Sequence, residues 1–243
     1  MRKLAVFDID GTLFRWQLYH ELVFEIKSRG HFSEQEAEAL DQAFVAWQGK
    51  FTSWHDYEFL VMETITRHLT EIAPKALEEA ASHVVERSGH KIYGYTAKLL
   101  KKLQTEGYYC LALSASQQEI AEKFADKYSF DDCVAAVYER EGDNYTGNHS
   151  RVVHGHKREL LEAYLADHKE IGLTLDDSVA VGDSASDISM LEMVDRPIAF
   201  NPSSELLEAA MKHGWKVVVE RKNIAYELEG ADGHFVLART DQF

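Results

Sequence analysis

The sequence predicts an α/β protein in which a doubly wound parallel sheet carries an inserted helical domain. From about residue 92 onward, short apolar runs alternate with helix-like segments, which is typical of parallel strands joined by crossover helices. Between residues 15 and 88, apolar residues recur every three or four positions, as on one face of a helix. We therefore expect a core formed by residues 1–14 and 91–243, and a helical domain formed by residues 15–90.

The first apolar run leads directly into two acidic residues. Residues 4–7 (LAVF) are followed by Asp8 and Asp10, and Gly11 then turns the chain away. This pattern predicts a buried strand that opens into a loop. Two carboxylates held close together repel each other unless a cation or a shared proton relieves them. Our hypothesis is that Asp8 and Asp10 belong to a Mg²⁺-assisted phosphoryl-transfer site.

The helical insert contains its own start and stop signals. Ser33 and Glu36 form a predicted capping box, and Gly49 marks a break between helices. Thr52 or Ser53 could cap the following helix, and Pro74 suits the first turn of another.

The remaining chain is predicted to alternate between helices and strands. The predicted helices cover 95–104, 117–127 (with Ser116 as a possible cap), 157–168, 188–193 and 204–213, and the predicted strands cover 109–113, 178–181, 198–200 and 216–219, with a hairpin around 142–144. The last two dozen residues, from Arg221, are less periodic and could form either an edge element or a loosely held tail.

Three of the predicted strands end in polar residues. Asp8 and Asp10 follow the first of these strands, Ser114 the second and Asp183 the third. A further polar residue, Lys157, begins a helix. Ligand sites of open parallel sheets lie beyond the carboxyl ends of the strands, where strand order reverses. We therefore expect these residues to converge on one crevice.

The acidic residues suit a metal and a covalent intermediate. Mg²⁺ prefers oxygen ligands, and Asp8, Asp183 and the backbone carbonyl of Asp10 could supply them. The Asp8 carboxylate could also act as the nucleophile. Asp10 could protonate the leaving oxygen and later accept a proton from water.

The other polar residues suit the phosphoryl group and the supporting structure. Ser114 offers a hydroxyl donor and Lys157 a positive charge for the phosphoryl oxygens. Thr12 could orient the loop, and Asp187 could hold Lys157 or a metal-bound water.

These motifs resemble those of the haloacid dehalogenase superfamily of phosphohydrolases. DIDGTLF (8–14) is similar to its first motif, LALSAS (111–116) to the second, Lys157 to the third and GDSASD (182–187) to the fourth. The helical insert resembles the type-one cap, and the SAS sequence and the segment 201–215 resemble subfamily IB, which contains phosphoserine phosphatase. The resemblance implies a Rossmann-like core, Mg²⁺ as cofactor and a phosphoaspartate on Asp8.

The resemblance weakens where the substrate is selected. Phosphoserine phosphatases have a glutamate shortly after the first motif and an arginine in the cap, whereas this chain has Gln17 and no arginine within 49–60. Gln17 cannot provide a negative charge for an ammonium group. Phosphoserine is therefore not the expected natural substrate. The candidate cap-side contacts are Arg15, Trp16, Gln17, His20 and Trp54, whereas His154 and His156 are expected to be surface histidines.

Composition limits the possible partners. With 41 acidic and 26 basic residues the formal charge is −15, which argues against a general binder of nucleic acid or of anionic membranes. The apolar run before Asp8 is too short for a signal peptide, so a cytoplasmic location is expected. The sequence does not indicate an oligomeric state.

The expected function is Mg²⁺-dependent hydrolysis of a small phosphorylated metabolite through an aspartyl-phosphate. Two alternatives remain at this point. A phosphotransferase or mutase would use the same intermediate, and a non-catalytic binding module could share the fold.

Overall fold

The computed structural model describes residues 1–231 and 233–243, which form a nine-stranded mixed sheet with helices on both faces. The strands are β1 (Arg2–Phe7), β2 (Tyr109–Gln117), β3 (Asp132–Glu141), β4 (Asn144–Arg151), β5 (Leu173–Gly182), β6 (Arg196–Phe200), β7 (Lys216–Arg221), β8 (Ile224–Ala231) and β9 (His234–Gln242). The helices are α1 (Leu18–Ser28), α2 (Glu34–Gln48), α3 (Trp54–His68), α4 (Pro74–Ser88), α5 (Gly94–Thr105), α6 (Gln118–Lys127), α7 (Lys157–Asp167), α8 (Ile188–Leu191) and α9 (Ser204–His213).

The sheet has the strand order β4-β3-β2-β1-β5-β6-β7-β8-β9. The strands from β3 to β7 in this order run parallel, while β4 at one edge and β8 and β9 at the other pair antiparallel. Strand order reverses at β1, which lies between β2 and β5. The predicted doubly wound sheet is confirmed, and β8 and β9, which follow Arg221, pair antiparallel at its edge instead of forming a loose tail.

Strand β1 is buried on both faces, which explains its unbroken apolar sequence. Ala5 and Phe7 pack into the core cluster that also contains the side chains of α1 to α4. Leu4 and Val6 point the other way and pack with residues of α7 and α9. Because neighbouring side chains of a strand alternate between faces, a strand covered on both sides must be apolar at every position.

Helices α1 to α4 follow directly after the Asp8 loop, and α2, α3 and α4 begin at the predicted signals, with Ser53 rather than Thr52 as the cap of α3. Ser33 and Glu36 form the capping box of α2, the Ser53 side chain accepts from the Asp56 N–H at the start of α3, and Pro74 is in the first turn of α4. An aromatic cluster fills the space between α1, α2 and α3; it consists of Trp16, His20, Phe44, Trp47, Trp54 and Tyr57. We call this group the aromatic cluster.

The two segments that connect α1 to α4 with the sheet run side by side. Arg15 N–H donates to the carbonyl of Lys91, and Tyr93 N–H donates to the carbonyl of Leu13. Glu220 of β7 holds both segments, since it accepts from the Arg15 guanidinium and from the N–H of Tyr95 at 2.9 Å. The helical region therefore joins the sheet through one paired connection.

One predicted cap was wrong. Ser116 does not cap α6, whose N-cap is Gln117 without a side-chain hydrogen bond. Instead β2 continues to Gln117, and its register against β3 shifts between Ser114 and Gln117. Such irregularities re-aim side chains next to functional sites. In the described part of the chain, no helix combines the length and apolar character needed to cross a bilayer.

Candidate active site

Asp8 lies at the carboxyl end of β1, next to the end of β5. Its N–H donates to the carbonyl of Val181 at 3.0 Å, which continues the pairing of the two strands into the loop. The chain then turns at Gly11, where φ is +78° and a Cβ atom would lie 2.2 Å from Oδ2 of Asp183. Only glycine allows this close approach, because it accepts positive φ and has no Cβ.

Lys157 at the start of α7 is buried between two carboxylates. Its Nζ lies 2.6 Å from Oδ1 of Asp8 and 2.5 Å from Oδ1 of Asp187. Burial alone would lower the pKa of Lys157, but the charges of Asp187 and Asp8 raise it above its usual value. The lysine therefore stays charged, and it is a fixed cation beside Asp8.

Three carboxylates face one another at this edge of the sheet. One oxygen each of Asp8, Asp183 and Asp187 lies within 4.8 Å of the other two. Burial, with the charges of Asp187 and Asp10, raises the pKa of Asp8 to about 7 although Lys157 opposes it. Burial, with Asp8 and Asp187, raises the pKa of Asp183 to about 9. One lysine does not neutralise three carboxylates, so this donor set fits a divalent cation.

Both carboxylate oxygens of Asp187 accept hydrogen bonds from other groups of the site. Its Oδ2 accepts from the N–H groups of Asp183 and Ser184, at 3.0 and 2.9 Å, while Oδ1 accepts from Lys157. Thr12 similarly donates its hydroxyl to Oδ1 of Asp183 at 3.2 Å. The structure thus places Thr12 and Asp187 where they can orient Asp183 and Lys157.

Asp10 is held by three donors. The N–H of Leu18 donates to Oδ1, and the hydroxyls of Ser114 and Ser116 each lie 2.8 Å from Oδ2. Burial raises the pKa of Asp10 above its usual value, while the three donors pull it down.

Ser116 is not among the predicted site residues, because the sequence favours it as a helix cap. Its sequence signal is the SAS pattern: residues two apart on a strand share a face, so Ser114 and Ser116 point the same way. In this structure the Ser114 hydroxyl donates to Asp10, whereas the sequence predicts that it donates to the phosphoryl group.

The predicted cap-side residues separate into different environments. Gln17 is half-buried at the N-cap of α1 and makes no capping bond with its side chain. Trp16 is half-buried and packs against Trp47 in the aromatic cluster. Arg15 is directed to Glu220 and to the carbonyl of Ile92 instead of the crevice.

His20 packs among aromatic rings in this structure, and its contact with substrate stays a prediction. Its side chain is buried in the aromatic cluster and stacks on Trp54, with ring centroids 5.2 Å apart. Neither ring nitrogen has a hydrogen-bond partner among the described residues. Burial lowers the pKa of His20 to about 4, so the ring is neutral at pH 7.

A family model described as haloacid dehalogenase-like hydrolase matches residues 5–192. A histidinol-phosphatase from Neisseria meningitidis serogroup C is 25% identical over 228 residues, covering 90% of this chain and 99% of that protein. A phosphoserine phosphatase from Methanocaldococcus jannaschii is 26% identical over 211 residues, covering 86% of this chain and 90% of the relative.

Solved structures show the same fold. A Bordetella pertussis protein described as of unknown function has a TM-score of 0.71 at 23% identity, covering 89% of this chain and 98% of that one. A phosphoserine phosphatase captured as a phospho-aspartyl intermediate analogue has a TM-score of 0.59 at 22% identity, covering 91% and 94% of the two chains.

Proposed function

The chain belongs to the haloacid dehalogenase-like hydrolase family, and we propose that it is a Mg²⁺-dependent phosphatase that hydrolyses a small phosphomonoester through an aspartyl-phosphate on Asp8. The single observation that carries this proposal is the geometry around Asp8. Its carboxylate lies 2.6 Å from a buried lysine and beside Asp183 and Asp10. An ion pair that only stabilised the fold would need one carboxylate for Lys157. This site has three carboxylates, Asp8, Asp183 and Asp187, beside one lysine.

The covalent step assigns separate roles to the two acids of the Asp8 loop. An oxygen of Asp8 attacks phosphorus while the bond from phosphorus to the ester oxygen breaks. Asp10 gives its proton to the departing alcohol and then takes one from the water that cleaves the aspartyl-phosphate. The raised pKa of Asp10 supports the acid role, because a buried carboxyl keeps its proton more readily. Ser114, Ser116 and the Leu18 N–H orient that carboxyl.

Asp8, Asp183 and the backbone carbonyl of Asp10 are the proposed Mg²⁺ ligands. When bound, the cation would neutralise the carboxylates and polarise the phosphoryl oxygens. Lys157 contributes a charge at a fixed position, and Asp187 keeps its ammonium next to Asp8. Ser114 lies in the last part of β2 and contacts Asp10. It is the proposed hydroxyl donor to the phosphoryl group.

Residues 15–90 are proposed to form a cap over a core made of 1–14 and 91–243. The paired connection between these parts, held by Glu220, supports a cap that moves as a unit. Closure of such a cap excludes bulk water from the intermediate. The relatives' names make histidinol phosphate and phosphoserine the first substrates to try. Gln17 and the lack of arginine within 49–60 favour a substrate other than phosphoserine.

The test is hydrolysis of p-nitrophenyl phosphate with and without Mg²⁺. We expect release of p-nitrophenol that stops when EDTA removes the metal. Asp8→Asn should lower kcat by at least about a thousand-fold, since loss of a nucleophile removes the covalent route. The matched control is Asp176→Asn, an exposed residue of β5 that should keep full activity. Near-normal turnover by a folded Asp8→Asn variant would refute the assignment.

A further inference from the structure

The sheet ends in two edge strands of different character. The strand β4 at one edge is polar (NYTGNHSR), and its one large apolar side chain, Tyr145, is buried. The strand β9 at the other edge (HFVLARTDQ) contains four consecutive apolar residues, 235–238, and neither lysine nor proline. Native proteins usually protect an edge strand with lysine, proline or an inward-facing charge. By this measure β4 is a protected edge and the apolar run of β9 is not.

The apolar run of β9 is exposed on both faces of the sheet. Val236 is 48% exposed and Leu237 is 57% exposed, and neighbouring side chains of a strand point to opposite faces. Leu237 lies opposite Leu228 of β8. Tyr226, two residues before Leu228, lies on the same face and is 36% exposed. Water therefore reaches apolar side chains on each side of this edge.

The outer backbone of β9 has no strand partner in the described part of the chain, because β9 pairs with β8 alone. Lys98 covers the end of the strand, where its Nζ donates to the carbonyl of Gln242 at 2.8 Å. A bulge between Leu237 and Arg239 interrupts the ladder with β8. The free and regular part of the edge is therefore 234–237, which we call the β9 edge.

Charge favours a second copy of this chain as the partner of the β9 edge. The chain has a formal charge of −15, so two copies repel each other over most of their surfaces. Strand β9 carries only Arg239 and Asp241 as formal charges, and these cancel. A two-fold axis through the β9 edge makes the two strands antiparallel. The apolar residues then meet at the axis, and the charged residues of the two copies lie at opposite ends.

The character of β4 limits such an assembly to two copies. Pairing of β9 with β9 leaves a β4 strand at each outer edge, and β4 is polar. Its hairpin also lies against the helical region, since a Cβ on Gly147 would be 3.6 Å from Cγ2 of Thr70. An isologous contact of this kind closes on itself, whereas pairing of β9 with β4 would continue into a filament.

We propose that the β9 edge is a dimerisation surface, through which two copies of this chain pair antiparallel and join their sheets. The β9 strand lies five strands from β1, which is about 24 Å at the usual strand spacing. The candidate active sites of both copies therefore stay open to substrate. This inference is independent of the proposed phosphatase function.

Sedimentation velocity of the full chain between about 1 and 500 µM tests the proposal. We expect a monomer–dimer equilibrium with a Kd in the micromolar range, because one strand pair is a small interface. Leu237→Lys should raise this Kd at least about tenfold, since it places a charge on each strand at the axis. The matched control is Ser150→Lys, which adds the same charge to exposed β4 and should leave the Kd unchanged.

Cysteine cross-linking locates the contact independently of Leu237→Lys. Val236→Cys and Leu237→Cys each place a thiol at or next to the proposed axis. At least one of them should give a disulfide-linked dimer under mild oxidation, whereas Ser150→Cys on β4 should not. The unmodified protein shows the background from its own thiols, of which Cys110 is buried and Cys133 half-buried.

Three results would overturn the proposal. The first is an unmodified protein that stays monomeric over the whole concentration range. The second is a dimer whose Kd is unchanged by Leu237→Lys, and the third is the absence of cross-links at both β9 positions. Sedimentation does not depend on turnover, so these results are distinct from a failure to hydrolyse p-nitrophenyl phosphate.

Discussion

Asp10 shows how a single side chain depends on partners that are distant along the chain. Ser114 and Ser116, more than a hundred residues later, both donate to the same carboxylate oxygen. Hydrogen bonds from neutral donors favour the ionised carboxylate, whereas burial favours the protonated one. The balance between them sets the proton affinity of the proposed general acid.

Ser116→Ala is expected to disturb this balance. Losing one hydrogen bond to a charged group costs about 1.5–3 kcal/mol, so we expect kcat to fall about ten- to a hundredfold. Because the lost donor had lowered the pKa of Asp10, that pKa should rise, and the basic limb of the kcat profile should move to higher pH. Steady-state rates between pH 5 and 9 check this, with exposed Ser150→Ala as the control. A lower kcat with an unshifted profile would show that Ser116 does not tune Asp10.

His20 makes a pH-dependent contribution to stability. Its folded pKa of about 4 lies below the usual 6.5, so the folded state binds its proton less readily than the unfolded state. The contribution is complete above pH 6.5 and is lost as pH falls toward 4, by up to about 3 kcal/mol.

We therefore expect His20→Phe to remove part of the acid sensitivity. At pH 7 the free energy of unfolding of the variant should equal or exceed that of the unmodified protein, because the substitution deletes two buried nitrogens without partners. At pH 4 the free energy of unfolding of the variant should exceed that of the unmodified protein by up to about 3 kcal/mol. Urea denaturation at both pH values measures the difference. If both proteins lose the same free energy of unfolding between pH 7 and pH 4, the acid sensitivity comes from other groups.

The loop between β1 and α1 is the element that most constrains the site. It must turn within a few residues so that Asp8 and Asp10 share the crevice, and Gly11 makes this turn against Asp183. Space and backbone conformation both exclude a larger residue there.

Gly11→Ala should reduce metal-dependent turnover at least about a hundredfold, because Asp183 must move from its position beside Asp8. Mg²⁺ affinity, measured by titration calorimetry, should fall as well. Gly107→Ala is a matched control: φ there is +82°, but no atom lies within 4 Å of the added Cβ. The control should lose about 1–2 kcal/mol of stability and retain its Mg²⁺ affinity. Equal effects of both substitutions on Mg²⁺ affinity would contradict the steric argument.

At the scale of the whole molecule, Glu220 joins the sheet to the helical region. It is a buried residue of β7 that accepts from Arg15 in one connecting segment and from Gly94 and Tyr95 in the other. The C-terminal part of the chain therefore helps to hold the connection to α1–α4.

Glu220→Gln is expected to lower the free energy of unfolding by about 1–3 kcal/mol, since a buried charged acceptor with three donors is replaced by a neutral one. Limited proteolysis should cut residues 15–17 or 91–93 faster than in the unmodified protein. Exposed Glu229→Gln on β8 is the control and should change neither quantity. Unchanged proteolysis at both segments would mean that Glu220 does not hold the connection.

The sequence by itself determined the sheet class, the capping box at Ser33, a cap at either Thr52 or Ser53, and the strand ends that meet at the crevice. These features are local, because they depend on periodicity and on neighbours within a few residues. It also pointed to Asp8, Asp10, Lys157 and Asp183 as one group, and the structure places them together at that crevice.

Only the tertiary structure decided that Ser116 donates to Asp10 and that His20 is packed among aromatic rings. Each of these roles depends on how the helical region lies against the sheet or on a shift in register between two strands. A short-range sequence pattern contains information on neither the placement of the helical region nor the strand register, because packing alone brings these partners together.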